Sequence, residues 1–249
     1  MRNCWAREHS ECEGKLSREH LVSSGIFDQA EIFVQGFSWC KEERKIGVAN
    51  LTSRVLCEKH NSILSVVDQA GIDAVKIIES TLPPRMRSIE TSEVDTYIDG
   101  HLFERWLLKT AINISYGGIS HIGIGMSGSK KGKPSPYLLA VIFGELKFSH
   151  KLGLYVLSPE SQYKFEVGSF HVFPIVKDER IGGFVFHVRG VDFFLNLNPW
   201  HAPPSMRSLG IGKATGDHDY VLDTNPAYRC SDLRICNAEY ENSIIRFKW

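Results

Sequence analysis

The segment that says most about the fold runs from residue 50 to residue 61. It reads Asn50-Leu51-Thr52-Ser53-Arg54-Val55-Leu56-Cys57-Glu58-Lys59-His60-Asn61. Two residues separate Cys57 from His60, which is the spacing at which a thiolate and an imidazole on one turn can share a tetrahedral zinc ion. Because such an ion takes four ligands, we expect two more from elsewhere in the chain.

Cys4 and Cys12 are the expected second pair of zinc ligands, contributed by a loop near the N-terminus. A site with four protein ligands is closed and therefore structural. It suits this part of the chain, because a small unit with few aromatic residues has a limited core and zinc adds folding free energy directly. Cys40 is a rival fourth ligand, whereas Cys230 and Cys236 have no histidine nearby and are expected to pack in the core.

Composition is that of an ordinary globular protein, with 43% hydrophobic and 23% charged residues among 249. Lys plus Arg equals Asp plus Glu at 29 each, so any surface that binds nucleic acid must be a local patch. Arg2, Asn3, Arg7 and Glu8 stand where a signal peptide needs an apolar run, and no stretch approaches the roughly 18 apolar residues of a membrane span. We therefore expect a cytoplasmic protein with no membrane partner.

Apolar residues recurring at three and four positions predict two helices, over Asn61 to Glu79 and over His101 to Ser115. Gly71 is a weak point in the first of them. Pro83 and Pro84 must end that helix, and a polar stretch follows them. We therefore predict a domain boundary here, with one domain at residues 1–82 and another at residues 95–249.

The second domain is predicted to combine a helix with an antiparallel sheet, which makes the whole chain α+β. Residues Gly123 to Pro136 are expected to form an exposed loop, and short runs of aromatic and β-branched residues between turn signals then favour hairpins. The predicted strands are Tyr137–Phe143, Gly153–Leu157, Tyr163–Val176, Gly183–Val188, Val191–Leu197 and Ile244–Trp249. The role of this domain is open: it can select a substrate, bind a partner protein or a second copy, or regulate its neighbour.

A second informative segment is Cys12-Glu13-Gly14-Lys15-Leu16-Ser17-Arg18-Glu19-His20-Leu21-Val22. Together with residues 50–61 it resembles the HNH endonucleases that have a treble-clef zinc site, also called ββα-metal nucleases. The resemblance covers about residues 4–70. Its features are a cysteine pair, an acidic residue and His before two aliphatic residues, an Asn before a strand, and Leu-Cys-x2-His-Asn at the start of a helix.

The resemblance implies a metal-dependent endonuclease that hydrolyses phosphodiester bonds in DNA, with its nuclease domain at residues 1–82. It implies that His20 is the general base, that Asn50 orients His20 or its loop, and that Glu19 and Asn61 reach a catalytic Mg²⁺ or Mn²⁺ ion. In this chain the triad reads His, Asn, Asn rather than ending in His. The zinc ligands that follow from the resemblance and from spacing are Cys4, Cys12, Cys57 and His60.

These implied roles agree with elementary chemistry. A phosphodiester hydrolase needs a hard cation held by oxygen ligands, and a base that titrates near neutrality, as a histidine with an ordinary pKa of about 6.5 does. The predicted contacts to substrate phosphates are Arg18, Lys59, Lys130 and Lys131. Since HNH modules are widespread in restriction, phage-defence and mobile-element systems, the resemblance implies such a context.

Two alternatives remain open from the sequence. One is a non-catalytic zinc-stapled module that binds nucleic acid or protein, and the other is an effector that cuts RNA. A zinc staple does not need an acidic residue beside a histidine, so Glu19, His20 and Asn50 favour an enzyme. No sequence feature separates DNA from RNA as the substrate.

Overall fold

A computed structural model describes residues 3–34, 42, 44–81, 96–116, 133–148, 152–159, 170–177, 180–189, 191–197, 220–222, 232–237 and 240–249. Helices and strands are mixed along the chain, and most strand pairs are antiparallel. The α+β class predicted from the sequence is therefore confirmed.

The N-terminal part consists of short strands followed by helices. Strand β1 pairs antiparallel with β4, and β2 pairs antiparallel with β3. Short 3-10 helices cover Trp5–Glu8, Ser24–Ile26 and Val48–Asn50. The bounds are β1 Glu19–His20, β2 Glu31–Val34, β3 Arg44–Gly47, β4 Thr52–Ser53, α1 Glu58–Ile63 and α2 Ser65–Thr81.

The helix predicted over Asn61 to Glu79 is present as α1 and α2, which are separated at Leu64. Helix α2 continues through Gly71. A Cβ atom at residue 71 would overlap the indole ring of Trp106, so the glycine lets this ring lie against the helix backbone. Gly71 is thus explained by close packing rather than by a break in the helix.

The remaining elements form two sheets and two helices. Within the described segments, five antiparallel strands lie in the order β10-β6-β9-β8-β7, and a second sheet has the order β11-β12-β5, with β5 parallel to β12. The bounds are β5 Thr96–Asp99, α3 Gly100–Tyr116, α4 Pro136–Ile142, β6 Gly153–Pro159, β7 Phe170–Lys177, β8 Arg180–Val188, β9 Val191–Asn196, β10 Tyr220–Leu222, β11 Asp232–Asn237 and β12 Tyr240–Lys248.

The strand predicted over Tyr137–Phe143 is wrong, because this segment forms helix α4. Ser135 caps the helix by accepting a hydrogen bond from the backbone N–H of Leu138, at 3.3 Å, and Pro136 stands in the first turn. A serine cap followed by proline is a helix start signal. A short apolar run is ambiguous in its periodicity, and the cap decides the outcome.

The other predicted elements agree with the structure wherever it describes them. Helix α3 and strands β6 and β8 cover the predicted runs in full, and β9 and β12 cover theirs except for the last residue. Strand β7 covers the second half of Tyr163–Val176. Strands β5, β10 and β11 were not predicted. Most of the predicted loop Gly123–Pro136, the first half of Tyr163–Val176, Cys40 and Cys230 lie outside the described residues, as does the side chain of Cys236.

One hydrophobic core is continuous across the predicted boundary at residues 82–95, which itself lies outside the described residues. Trp5 and Val67 from the N-terminal side belong to the same cluster of buried residues as Phe103, Trp106 and Phe193 from the other side. The two sides therefore share a core, and α3 lies between the N-terminal elements and the five-stranded sheet.

A buried arginine also joins the five-stranded sheet to the N-terminal part. Arg189 is 3% exposed, has a positive φ of 53°, and donates a hydrogen bond of 2.7 Å to the backbone oxygen of Ile26. It also pairs with the carboxylates of Asp28 and Glu79, at 3.0 and 3.6 Å. A positive φ is costly for a residue other than glycine, so these contacts hold the turn between β8 and β9 in place.

Candidate functional site

The four predicted zinc ligands lie together at the N-terminal end of α1. Cys57 precedes the helix and His60 is in its first turn, while Cys4 precedes the 3-10 helix Trp5–Glu8 and Cys12 follows in the next loop. Their ligand atoms all lie within 4.8 Å of one another. These residues can therefore hold a metal ion such as zinc, which confirms that part of the prediction.

The distances in the cluster fit a zinc ion bound through the Nδ1 atom of His60. This atom lies 3.1 Å from the sulfur of Cys57, 3.3 Å from that of Cys4 and 3.9 Å from that of Cys12. Ordinary zinc bond lengths in a tetrahedron separate a sulfur from a nitrogen ligand by roughly 3.6 Å. The observed values lie on both sides of this separation, and among the described residues three cysteines and one histidine supply the four ligands of a tetrahedral site.

Ser10 is a member of this site that sequence reasoning missed. Its hydroxyl oxygen lies 2.8 Å from the Nε2 atom of His60, on the side of the ring opposite the three sulfurs. If Nδ1 binds the metal, Nε2 carries the ring proton and donates a hydrogen bond to the hydroxyl oxygen of Ser10. A hydrogen bond of this kind fixes the orientation of a metal-binding ring and raises its basicity. No ligand spacing in the sequence points to Ser10.

Without a metal ion, burial and hydrogen bonds shift the pKa values of the four ligands in different directions, so Cys57 and His60 favour their zinc-binding forms and Cys4 and Cys12 favour the protonated thiol. Burial raises the pKa of the Cys4 thiol to about 12 and also raises the pKa of Cys12. Burial acts in the same direction on Cys57, but backbone hydrogen bonds from His60 and Glu13 hold the pKa of this thiol below its ordinary value. Burial lowers the pKa of His60, which favours its neutral form. A thiolate and a neutral imidazole are the forms that bind zinc.

The same backbone framework carries Glu19 and His20 next to the cluster. These two residues make up β1, which pairs antiparallel with β4 just before the chain enters α1. An isolated antiparallel bridge between Leu16 and Cys57 ties the start of this segment to a zinc ligand. The position of Glu19 is therefore set by the elements that set the cluster.

Glu19 is buried, at 6% exposure, and has two polar partners. Its Oε1 atom accepts a hydrogen bond of 2.7 Å from the Nζ atom of Lys109, and the side chain of Asn61 also hydrogen bonds to the carboxyl group. Burial raises the pKa of Glu19, and the charge of Lys109 and these hydrogen bonds only partly offset this effect. The structure thus brings together Glu19 and Asn61, the two predicted ligands of the catalytic metal.

Lys109 of α3 and Asp68 of α2 are further site residues that sequence reasoning missed. The Nζ atom of Lys109 lies 2.5 Å from Oδ2 of Asp68, and Oδ1 of Asp68 accepts a hydrogen bond of 2.8 Å from Ser23. The hydroxyl of Ser23 in turn accepts a hydrogen bond from the indole of Trp106, at 2.9 Å. A signal was present, because a lysine within an apolar helical run that is buried all round needs partners of opposite charge.

His20 follows Glu19 in β1 and is half-buried. Burial, helped by the charge of Arg18, lowers the pKa of His20, and the carboxylate of Asp68 acts in the opposite direction. At neutral pH the ring is therefore in the form that accepts a proton. Its Nδ1 atom is shielded from solvent and has no hydrogen-bond partner among the residues described.

The other predicted residues lie farther out. Asn50 ends the 3-10 helix Val48–Asn50 on the surface, and within the described ranges no hydrogen bond joins its side chain to His20. Arg18 is exposed and donates hydrogen bonds to Thr52 and to the backbone of Ala49, at 2.9 and 3.2 Å.

Of the three lysines predicted to contact substrate phosphates, the structure describes only Lys59. Lys59 forms an ion pair with Glu13 at the surface. Lys130 and Lys131 lie outside the described residues.

No protein-family model matches the chain, and no curated protein or solved structure is significantly similar to it. Among the described helices, none is long and apolar enough to cross a bilayer. A functional assignment therefore depends on the geometry and chemistry of the residues themselves.

Proposed function

We propose that this chain is a metal-dependent endonuclease of the HNH type that hydrolyses phosphodiester bonds in DNA. The observation that carries the proposal is the contact between Glu19 and Asn61. Asn61 directly follows the zinc ligand His60 in α1, so one helical turn offers a ligand to zinc and an amide to Glu19. A zinc staple by itself does not require an acidic residue and an amide to meet, with a half-buried histidine next to the acidic residue in the chain.

The donor set at this site fits a hard divalent cation. Glu19 and Asp68 supply carboxylate oxygens and Asn61 supplies an amide oxygen, which are the ligands that Mg²⁺ and Mn²⁺ prefer. Both carboxylates are close enough together to share one cationic group, since both contact the ammonium of Lys109. When bound, the divalent ion would stabilise the negative charge that develops on the attacked phosphate and on the leaving oxygen.

His20 is the general base in this proposal. Because its pKa is held below the ordinary value, the ring is neutral at physiological pH and can take a proton from the attacking water. Arg18 and Lys59 are surface cations that would contact the phosphates flanking the cut. Their present partners are surface groups of the protein, and exposed pairs of this kind are weak enough to exchange for phosphate.

The test is cleavage of plasmid DNA, single-stranded DNA and RNA by the zinc-loaded chain with added Mg²⁺ or Mn²⁺. We expect His20→Ala to abolish cleavage while zinc content and Tm stay nearly unchanged. His171→Ala is the matched control, since this exposed histidine lies on β7 in the five-stranded sheet, and it should cut as the wild type does. Unaltered cutting by His20→Ala, or no cutting of any substrate by the wild type, would reject the proposal. Cutting of RNA alone would make the chain a ribonuclease.

A second candidate function is a non-catalytic zinc-stapled module that binds nucleic acid or protein. The ion pair of Glu19 with Lys109 favours it, because a carboxylate that is buried and neutralised by a fixed cation can serve stability alone. In that case the chain would bind its partner without cutting, and Glu19→Gln would leave this binding unchanged. Under either function, residues 95–249 would select the substrate or bind a partner protein or second copy.

A further inference from the structure

Lys109 is only 1% exposed, whereas lysine side chains almost always reach the solvent. Its Nζ atom lies 2.7 Å from a carboxylate oxygen of Glu19 and 2.5 Å from one of Asp68. Removing an ammonium group from water is costly, and close opposite charges have to offset the cost. The two carboxylates therefore hold Lys109 in place, and Lys109 in turn keeps the buried Glu19 close to the partly exposed Asp68.

The same oxygens are those that a divalent ion would need. Both oxygens of Asp68 are engaged, because Lys109 contacts Oδ2 and Ser23 donates to Oδ1. The carboxyl group of Glu19 is likewise shared between Lys109 and Asn61. An incoming cation would therefore meet the ammonium at close range, and two positive charges on the same oxygens repel each other strongly in a buried site.

We propose that Lys109 is an internal cation that competes with a divalent metal ion for the carboxylates of Glu19 and Asp68. The inference rests on the proposed function, which places that ion at Glu19. In the metal-free chain Lys109 is a positioning residue, since it screens the repulsion by which Asp68 raises the pKa of Glu19. Binding of the ion requires Lys109 to release Glu19, so the affinity of the site for metal is set by the strength of this ion pair.

Helix α3 makes the release of Lys109 costly. Trp106, Lys109 and Asn113 lie on one face of the helix, at spacings of three and four residues. Trp106 donates to Ser23, and Asn113 accepts from the indole of Trp5 and donates to the backbone oxygen of His20. With its neighbours fixed on both sides, Lys109 has little freedom to move away. Metal binding to the wild type is therefore weaker than the donor set alone would give.

The test measures Mn²⁺ binding to the zinc-loaded full chain. Binding is detected as a decrease in the electron paramagnetic resonance signal of free Mn²⁺. Lys109→Met keeps the length of the side chain and removes its charge, and we expect it to bind one Mn²⁺ at least about tenfold more tightly than the wild type. Lys109→Arg should retain the weak binding. The double variant Lys109→Met with Glu19→Gln should lose the gain.

Lys45→Met is the matched control, because Lys45 pairs with Glu31 on the surface, where both side chains are more than half exposed. It should bind Mn²⁺ as the wild type does. Equal affinities of the wild type and Lys109→Met would overturn the proposal. The proposal would also be overturned if the double variant Lys109→Met with Glu19→Gln kept the higher Mn²⁺ affinity.

Lys109→Met leaves the buried carboxylate of Glu19 and the partly exposed carboxylate of Asp68 without a counter-charge, and the variant can fail to fold. A second measurement therefore uses the wild type with ¹⁵N-labelled lysine. Mg²⁺ is titrated in, and nuclear magnetic resonance records the signals of the lysine ammonium groups at each step. We expect the resonance of Lys109 to shift or broaden as Mg²⁺ binds, whereas that of Lys45 stays in place. A Lys109 resonance that is unchanged over the whole titration would overturn the proposal.

These outcomes can be told apart from failure of the proposed function. If Lys109→Met gains Mn²⁺ affinity but the wild type cuts no nucleic acid, the competition stands and the nuclease assignment fails. If the wild type cuts DNA but the affinities are equal, the nuclease assignment stands and the role of Lys109 fails.

Discussion

The hydroxyl oxygen of Ser10 lies 2.8 Å from the Nε2 atom of His60, whose other ring nitrogen faces three cysteine sulfurs. Because such a hydrogen bond orients a metal-binding histidine, we expect Ser10→Ala to weaken zinc binding by about 10- to 100-fold. Competition with a chromophoric zinc chelator measures this. Ser80→Ala, which removes a hydroxyl at the far end of α2, should leave zinc affinity unchanged. Equal affinities in the two variants would show that Ser10 does not support the ligand.

Cys12 and Cys40 are rival zinc ligands in the sequence; Cys12 lies in the cluster with Cys4, Cys57 and His60, and Cys40 lies outside the described residues. We expect Cys12→Ser to lose zinc or to bind it far more weakly, whereas Cys40→Ser keeps one zinc ion per chain. Elemental analysis after dialysis against a weak chelator distinguishes the two variants. Removal of zinc from the wild type by a strong chelator should lower its Tm, since zinc binding adds folding free energy. Zinc retained by Cys12→Ser and lost by Cys40→Ser would reverse the assignment.

The pH dependence of cleavage should report the lowered pKa of His20. A general base works when deprotonated, so kcat/KM should fall as the pH falls through this pKa. The midpoint of that fall should lie below the ordinary histidine value of about 6.5.

The charge of Arg18 contributes to this shift, so Arg18→Gln should move the midpoint upward even if it also weakens substrate binding. Arg54→Gln, at an exposed position, should not move it. A midpoint above the ordinary value in the wild type would contradict the role of His20.

Gly71 and Trp106 give a prediction about stability. An alanine in a helix is favoured over glycine by about 1 kcal/mol, but here its Cβ atom would overlap the indole ring. Overpacking of a core costs about 1–3 kcal/mol, so we expect Gly71→Ala to lower the free energy of unfolding. Urea denaturation measures the change. Val66→Ala, at an exposed position of the same helix, should change it by less than about 0.5 kcal/mol. A more stable Gly71→Ala variant would show that Trp106 does not pack as described.

The zinc cluster could be predicted from the sequence because its information is mostly local. Cys57 and His60 are one helical turn apart, and their chemistry and spacing together indicate a metal site. Lys109 could not be placed in the same way, since its partners Glu19 and Asp68 are 90 and 41 positions away in the chain. A buried lysine shows that partners are needed, but only the packing of α3 against the N-terminal elements determines which ones.

The strand predicted over Tyr137–Phe143 fails for a different reason. Its apolar residues have no clear period, so strand and helix fit equally well over such a short run. The deciding information stands just before it, in Ser135 and Pro136, and concerns only how a helix begins. Strand β5 was missed because a single short strand at the edge of a sheet depends on its partner β12, at the other end of the chain.

The continuous core has a consequence for any attempt to study the N-terminal region in isolation. A fragment ending at residue 82 would lack α3, so the carboxylates of Glu19 and Asp68 would lose their ammonium partner and the indole of Trp5 would lose Asn113. The fragment would also expose apolar side chains that α3 and the sheet normally cover. An inactive or aggregated fragment would therefore reflect missing structural support from the C-terminal region, not a defect in the chemistry of the N-terminal residues.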